Sequence, residues 1–217
     1  MPSTTRTTPG PIIVPADAVN IRVSATGRGG AGGTATATNG GGGGGGGMWA
    51  RKNSGIPGEW LCEENAAASF RSPDGIMVCS AENGHPGDGI NGGAGGSEYM
   101  GDEWHEGGNG GGGGTLSLAG GGGGSSGSST GDGLNGSSGD ASLDGGHGGG
   151  AVGGGGKGGD STLQNPQAGE APGGGGGGMC GDNPEQGSGV GGDPKWLVTW
   201  DLLEQDAGPP INDGGPG

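Results

Sequence analysis

The densest chemistry in the chain lies at residues 98–106, Glu98-Tyr99-Met100-Gly101-Asp102-Glu103-Trp104-His105-Glu106. Two aromatics, a histidine and four carboxylates stand together between runs of glycine. Tyr and Trp are enriched where protein surfaces bind, and loops held on a rigid scaffold carry function. Tyr99, Asp102, Glu103, Trp104, His105 and Glu106 are therefore candidate binding residues. A second acidic interruption, residues 182–186, adds Asp182, Asn183 and Glu185. The plainer alternative is that Trp104 and Tyr99 pack over the glycine segments while the acids keep the loop wet.

No catalytic arrangement follows from spacing. Carboxylate pairs are frequent, but none sits in an apolar setting that would tune it for acid–base work. Gly-x-Gly-x-x-Gly recurs so often that it loses meaning as a nucleotide signal, which requires a strand before it and a helix after it. The nearest approach to a phosphate loop, residues 153–157, has Gly158 where Ser or Thr is required. His85, His105 and His147 are far apart in sequence and read as solvated loop histidines rather than metal ligands. Asn135-Gly136-Ser137 matches a glycosylation triplet but has no secretion signal beside it. The expectation is a protein that is not an enzyme, with no cofactor and no metal.

The elements that must position residues 98–106 are unusual, because 69 of the 217 residues are glycine. Residues 40–47 are eight consecutive glycines and residues 173–178 are six. Average glycine usage is about 7%. Hydrophobic residues make up 26%, with one Phe and one Tyr, so a conventional core would be small. Five Trp and two apolar segments near the ends argue against a pure linker. The formal charge of −15 argues against nucleic acid, since phosphate binding runs on Lys and Arg. No apolar stretch is long enough to insert in a membrane. Residues 1–10 contain no apolar signal segment, so work outside a cell implies release by lysis. Cys62, Cys79 and Cys180 match no metal spacing. Cys62 and Cys79 are placed to meet across a hairpin, but without an export signal three reduced thiols are expected.

Residues 1–10, rich in Thr and Pro, read as an extended arm. Ile12-Ile13-Val14 precedes a turn, after which Val19, Ile21, Val23 and Ala25 alternate with polar residues as in a half-buried strand. Trp196, Val198, Trp200 and Leu202 alternate likewise near the other end, with a mixed outer face. The strands at 12–25 and 195–203 are expected to share one small sheet. Ser72-Pro73-Asp74-Gly75 is a type I turn signal, predicting a hairpin over 66–80. Trp49, Trp60, Trp196 and Trp200 are expected to plug the core under the sheet. Almost no α-helix is expected, and residues 204–217 read as a flexible tail.

Glycine on this scale has one ordered use. A polyproline-II rod has three residues per turn, about 3.1 Å rise and no internal hydrogen bonds. Its outward N–H and C=O groups must pair with neighbouring rods, which approach closely only without Cβ. A surrounded rod needs glycine throughout; an edge rod needs it at every third position. Residues 40–47, 110–114 and 173–178 suit central rods, and Gly133, Gly136 and Gly139 suit an edge rod. The fold expected is a single glycine-rich domain over 11–203. It is mostly irregular and β, a polyglycine-II rod bundle (27–47 and 84–192) closed by the terminal sheet.

This layout resembles the glycine-rich domain of bacteriophage tail-fibre and tail-tip proteins. Val14-Pro15-Ala16 opens a strand that runs into glycine at Gly27. Ala67-Ala68-Ser69-Phe70 and Cys79-Ser80-Ala81 resemble the family's aromatic hairpin, and residues 195–200 its closing Trp strand. In composition the chain is also similar to the adhesins that tip the long tail fibres of T-even-like phages. The resemblance implies a virion structural protein, assembled in the host cytoplasm and released by lysis. Its partners would be other tail or capsid proteins and a bacterial outer-surface receptor, which rod-end loops would bind. Capsid decoration is the alternative, with the terminal arms as straps; ice binding fits the irregular acidic loops less well.

Overall fold

The computed structural model describes residues 1–115, 118–140, 146–150, 153–158, 165–181 and 187–203. Among the described residues are ten strands and no helix. They form two five-stranded sheets. The first holds, in spatial order, β1 (Ser3–Arg6), β10 (Lys195–Leu202), β3 (Ala18–Thr26), β4 (Trp49–Ser54) and β9 (Glu103–His105). The second holds β2 (Gly10–Val14), β5 (Gly58–Glu64), β6 (Ala67–Arg71), β7 (Met77–Glu82) and β8 (Tyr99–Met100). Every neighbouring pair is antiparallel.

The expected union of the chain's two ends is present: β3 and β10 pair, with Val23 opposite Val198 and Ala25 opposite Trp196. The single small sheet is corrected to two. After Val14 the backbone turns, the Ala18 N–H donating to the Pro15 carbonyl at 3.1 Å, and β2 joins the opposite sheet from β3. Ser3–Arg6, read as part of an arm, is instead an edge strand on β10. The hairpin is β6 and β7, and its turn closes with the Gly75 N–H on the Ser72 carbonyl at 2.8 Å. The alternation in β3 slips once. Asn20 takes a left-handed φ of 52° beside a register shift opposite Thr199 and Asp201. A bulge of this kind changes which residues face inward, so Ala18 is buried in place of Val19. Residues 204–217 lie outside the described residues.

The sheets face one another across a core of few but large side chains. Trp60, Trp196 and Phe70 are fully buried. Trp60 and Phe70 meet edge to face at 6.2 Å. The Trp196 indole N–H crosses between sheets to the Ser69 carbonyl at 3.0 Å. Three aromatics of this size dominate a small core and offset the shortage of aliphatic residues. Cys62 and Cys79 flank Phe70 on adjacent strands. That register sets them two strand spacings apart, about 9.5 Å, beyond the reach of a disulfide. Both are free thiols, and burial pushes each up to about 12.

Strands β3, β4, β7 and β10 each adjoin a glycine segment, with no more than two residues between. Along residues 40–47 successive N–H groups reach different neighbours and return to the first after three residues. Gly40, Gly43 and Gly46 donate to Gly114, Gly111 and Gly108; Gly41, Gly44 and Gly47 donate to Met179, Gly176 and Gly173. Gly42 and Gly45 donate to Gly89 and His85. Carbonyls of the same run accept from Gly30 and Gly33, from Gly93 and Gly96, and from Gly121, Gly124 and Gly127. The run is thus enclosed by other backbone on every side. A Cβ at any of its eight positions would fall 1.9–2.1 Å from a neighbouring carbonyl oxygen.

Gly44→Ala is expected to lower stability by more than about 3 kcal/mol or to prevent folding, because no rotamer relieves a clash with backbone. Gly55, with nothing within 4 Å of the added methyl, is the control. Gly55→Ala should stay within about 0.5 kcal/mol of the parent in denaturant unfolding.

Candidate functional site

Residues 99–106 are not a free loop. β8 is the edge of the second sheet, beside β7, and β9 is the edge of the first, beside β4. The segment therefore laces the two sheets together along one side of the sandwich. Gly101 allows the crossing: a Cβ there would lie 2.7 Å from the Arg51 carbonyl oxygen. The next residue seals it, the Asp102 N–H donating to that same carbonyl at 2.7 Å.

The candidate side chains divide into a displayed pair and a set of anchors. Tyr99 and Trp104 stack with ring centroids 4.6 Å apart and an interplanar angle of 25°. They are 46% and 40% exposed, and Met100 beside them is 45% exposed. Two of the acids, Asp102 and Glu103, point back to β4, while Glu106 is exposed. Asp102 accepts from the Lys52 ammonium at 2.5 Å and from the Asn53 N–H at 2.9 Å. Glu103 receives the Arg51 guanidinium. His105 stacks on Trp49 at 5.9 Å and shares a hydrogen bond with Asp132 at 3.1 Å, while Asp132 also accepts the Glu106 N–H at 3.1 Å. Asp182, Asn183 and Glu185 lie outside the described residues.

These ion pairs are partly exposed, and such pairs stabilise by about 0–1 kcal/mol. Their main effect is geometric: they fix both flanks of a crossing whose aromatic pair faces outward. Lys52 and the Asn53 N–H hold Asp102 below the ordinary carboxylate range. At the other end of the segment, burial pushes Glu82 up. The Ser97 and Glu98 N–H groups, at 2.7 and 2.9 Å, together with His85 outweigh it, and Glu82 too is held low.

Sequence reasoning missed Arg51, Lys52, Glu82 and Asp132 as parts of this site. One signal was available: Arg51-Lys52 is the chain's only adjacent pair of cations, and residues 102–103 its matching pair of acids. The expectation for Trp60, Trp196 and Trp200 holds, since all three are buried in the core. Trp49 is corrected. It is 8% exposed but lies on the opposite face of β4 from the core residue Ala50, under His105. His85 pairs with Glu82, and the three histidines do not converge. Among the described residues no group of three or more His, Cys, Asp or Glu is arranged to hold a metal. No protein-family model matches the chain, and no curated protein matches it in sequence.

Acid should loosen the segment from both ends. Each depressed carboxyl contributes stability that is present above its ordinary value, about pH 4. That contribution is lost as pH falls through the lowered one. Amide exchange, corrected for intrinsic rates, should show Ser97, Glu98 and Asn53 losing protection together below about pH 4. Glu82→Gln should remove the acid dependence at Ser97 and Glu98 but leave it at Asn53, and Asp102→Asn should do the reverse.

Proposed function

We propose that the chain is a virion structural protein of a tailed bacteriophage, placed at the tail tip or fibre, and that it recognises the host surface. The observation that carries recognition is the Tyr99–Trp104 stack, exposed and pinned on both flanks. Large aromatics cost little conformational entropy when they bind, and they recur among the residues that dominate interfaces. The tail assignment draws on the resemblance in layout. In this reading the chain is not an enzyme. It needs no cofactor, and its partners are virion proteins and a bacterial surface receptor.

The same proposal makes the glycine segments a polyglycine-II bundle. The three-residue recurrence of donors along residues 40–47, and carbonyls on all sides where a Cβ would stand, support it. Such a bundle supplies stiffness without a hydrophobic core, as a displayed recognition surface requires. Capsid decoration drew on both terminal arms as straps; Ser3–Arg6 is paired to β10, and residues 204–217 lie outside the described residues.

Immunogold microscopy of virions from the source, with antibody to this chain, tests the placement. Label at the tail or fibre tip supports the proposal; label over the head transfers the chain to capsid decoration; absence from particles of a chain present in the lysate removes the phage reading. For recognition, the purified chain should compete with virions for adsorption to host cells. The Tyr99→Ala/Trp104→Ala variant should compete at least about tenfold less well with an unchanged melting temperature. A circular dichroism melt without cooperativity would overturn the bundle.

A further inference from the structure

The outward face of the first sheet carries a cleft of about 380 Å³, within the range that holds small molecules, about 300–1,000 Å³. Its floor is a grid set by strand register. Lys195, Thr26 and Trp49 form one row across β10, β3 and β4; Leu197, Ser24 and Arg51 form the next; Thr199 and Arg22 begin the third. Residues 127–130, with Ser128, Ser129 and Thr130, and Pro172 stand over it.

The charge of this cleft runs against that of the chain. Acids outnumber Lys and Arg 23 to 8, yet three of the eight, Arg22, Arg51 and Lys195, line one cavity. No carboxylate is among its lining residues. Arg28, Lys52 and Arg71 are each spent on an acid elsewhere. Arg22 and Lys195 make no ion pair with any described residue. Arg51 keeps Glu103 on one side and stands 5.8 Å over the Trp49 ring on the other, so its position is fixed.

We infer that the cleft is a binding site for a carboxylate-bearing saccharide unit, of the uronic acid type. Arg22 and Lys195 supply charge-assisted hydrogen bonds to the carboxylate. Hydroxyls both donate and accept, which matches those of a sugar ring. Ser128 and Thr130 bond one another at 3.0 Å, so Ser24, Ser129 and Thr199 are the hydroxyls that serve here. Leu197 gives the floor an apolar spot for the ring's C–H face, and Trp49, covered by His105 and Arg51, adds an edge. The cavity exceeds what a bare inorganic anion fills. An extended polyanion such as nucleic acid is disfavoured, because the body around the cleft carries the −15 charge. This inference concerns the purified chain and does not depend on its place in a virion.

The test uses the full chain and three probes: methyl β-glucuronide, methyl β-glucoside, which lacks only the carboxylate, and inorganic sulfate. Binding is read from amide shifts of Ser128, Ser129 and Thr130 in heteronuclear NMR. The glucuronide is expected to shift these amides and to bind at least tenfold more tightly than either other probe. Arg22→Ala/Lys195→Ala should weaken it at least tenfold without moving the melting temperature. The milder Lys195→Gln should weaken it severalfold should the double variant not fold. Equal binding of the glucoside overturns the role of the cations. Sulfate binding as tightly as the glucuronide overturns the saccharide. Shifts confined to other regions, or variants that bind like the parent, overturn the site.

Discussion

Everything in this protein depends on backbone N–H groups of one glycine segment finding carbonyls of another where no Cβ intervenes. The exchange is nearly balanced at each residue. Fixing a backbone costs about 1–2 kcal/mol, toward the upper end for glycine, and a net hydrogen bond returns about 0.5–1.5 kcal/mol. No single segment is therefore stable alone. The run at 40–47 holds because it donates to three neighbours and accepts from others around its whole circumference. The sandwich tips the balance: Trp60, Trp196 and Phe70 supply a buried apolar core, and strands β3, β4, β7 and β10 deliver the glycine segments already aligned.

This division explains what was legible in the sequence. The enclosure of residues 40–47 could be read because steric exclusion acts on composition, and only glycine survives contact with carbonyls on all sides. The run at 110–114 is less enclosed, with more room for a Cβ at Gly112. The β3–β10 pairing and the β6–β7 hairpin could be read because alternation and the Ser72–Gly75 turn are local signals. The second sheet could not. Whether β2 continues beside β3 or crosses away is decided at Pro15 by packing against β5, a strand far along the chain. In β3 Ile21, Val23 and Ala25 face inward as alternation predicts, but Asn20 adopts a left-handed conformation that alternation does not announce, and Ala18 is buried in place of Val19.

At the candidate site the residue types were legible and their roles were not. Acids and aromatics appear in sequence as one polar loop, whereas in the fold they have opposite tasks. Asp102 and Glu103 pair with cations on β4, and Tyr99 and Trp104 are left exposed. A strongly acidic chain distributes its few cations with care. Some clamp the segment that crosses between the sheets, and others stand unpaired on the first sheet's outer face.

Residues 40–47 meet their neighbours through backbone alone, and their donors return to the same neighbour every three residues. This run, slid by one such step along its neighbours, would meet the same kinds of groups again, so its own hydrogen bonds set no unique alignment. The strands remove this translational degeneracy. The Gly27 N–H on Met48 and the Met48 N–H on Glu82 lie where glycine gives way to β3, β4 and β7, and there side chains distinguish one position from the next. The sandwich is in this sense an index plate: it states once, at one end, the alignment that the glycine run carries on along its length.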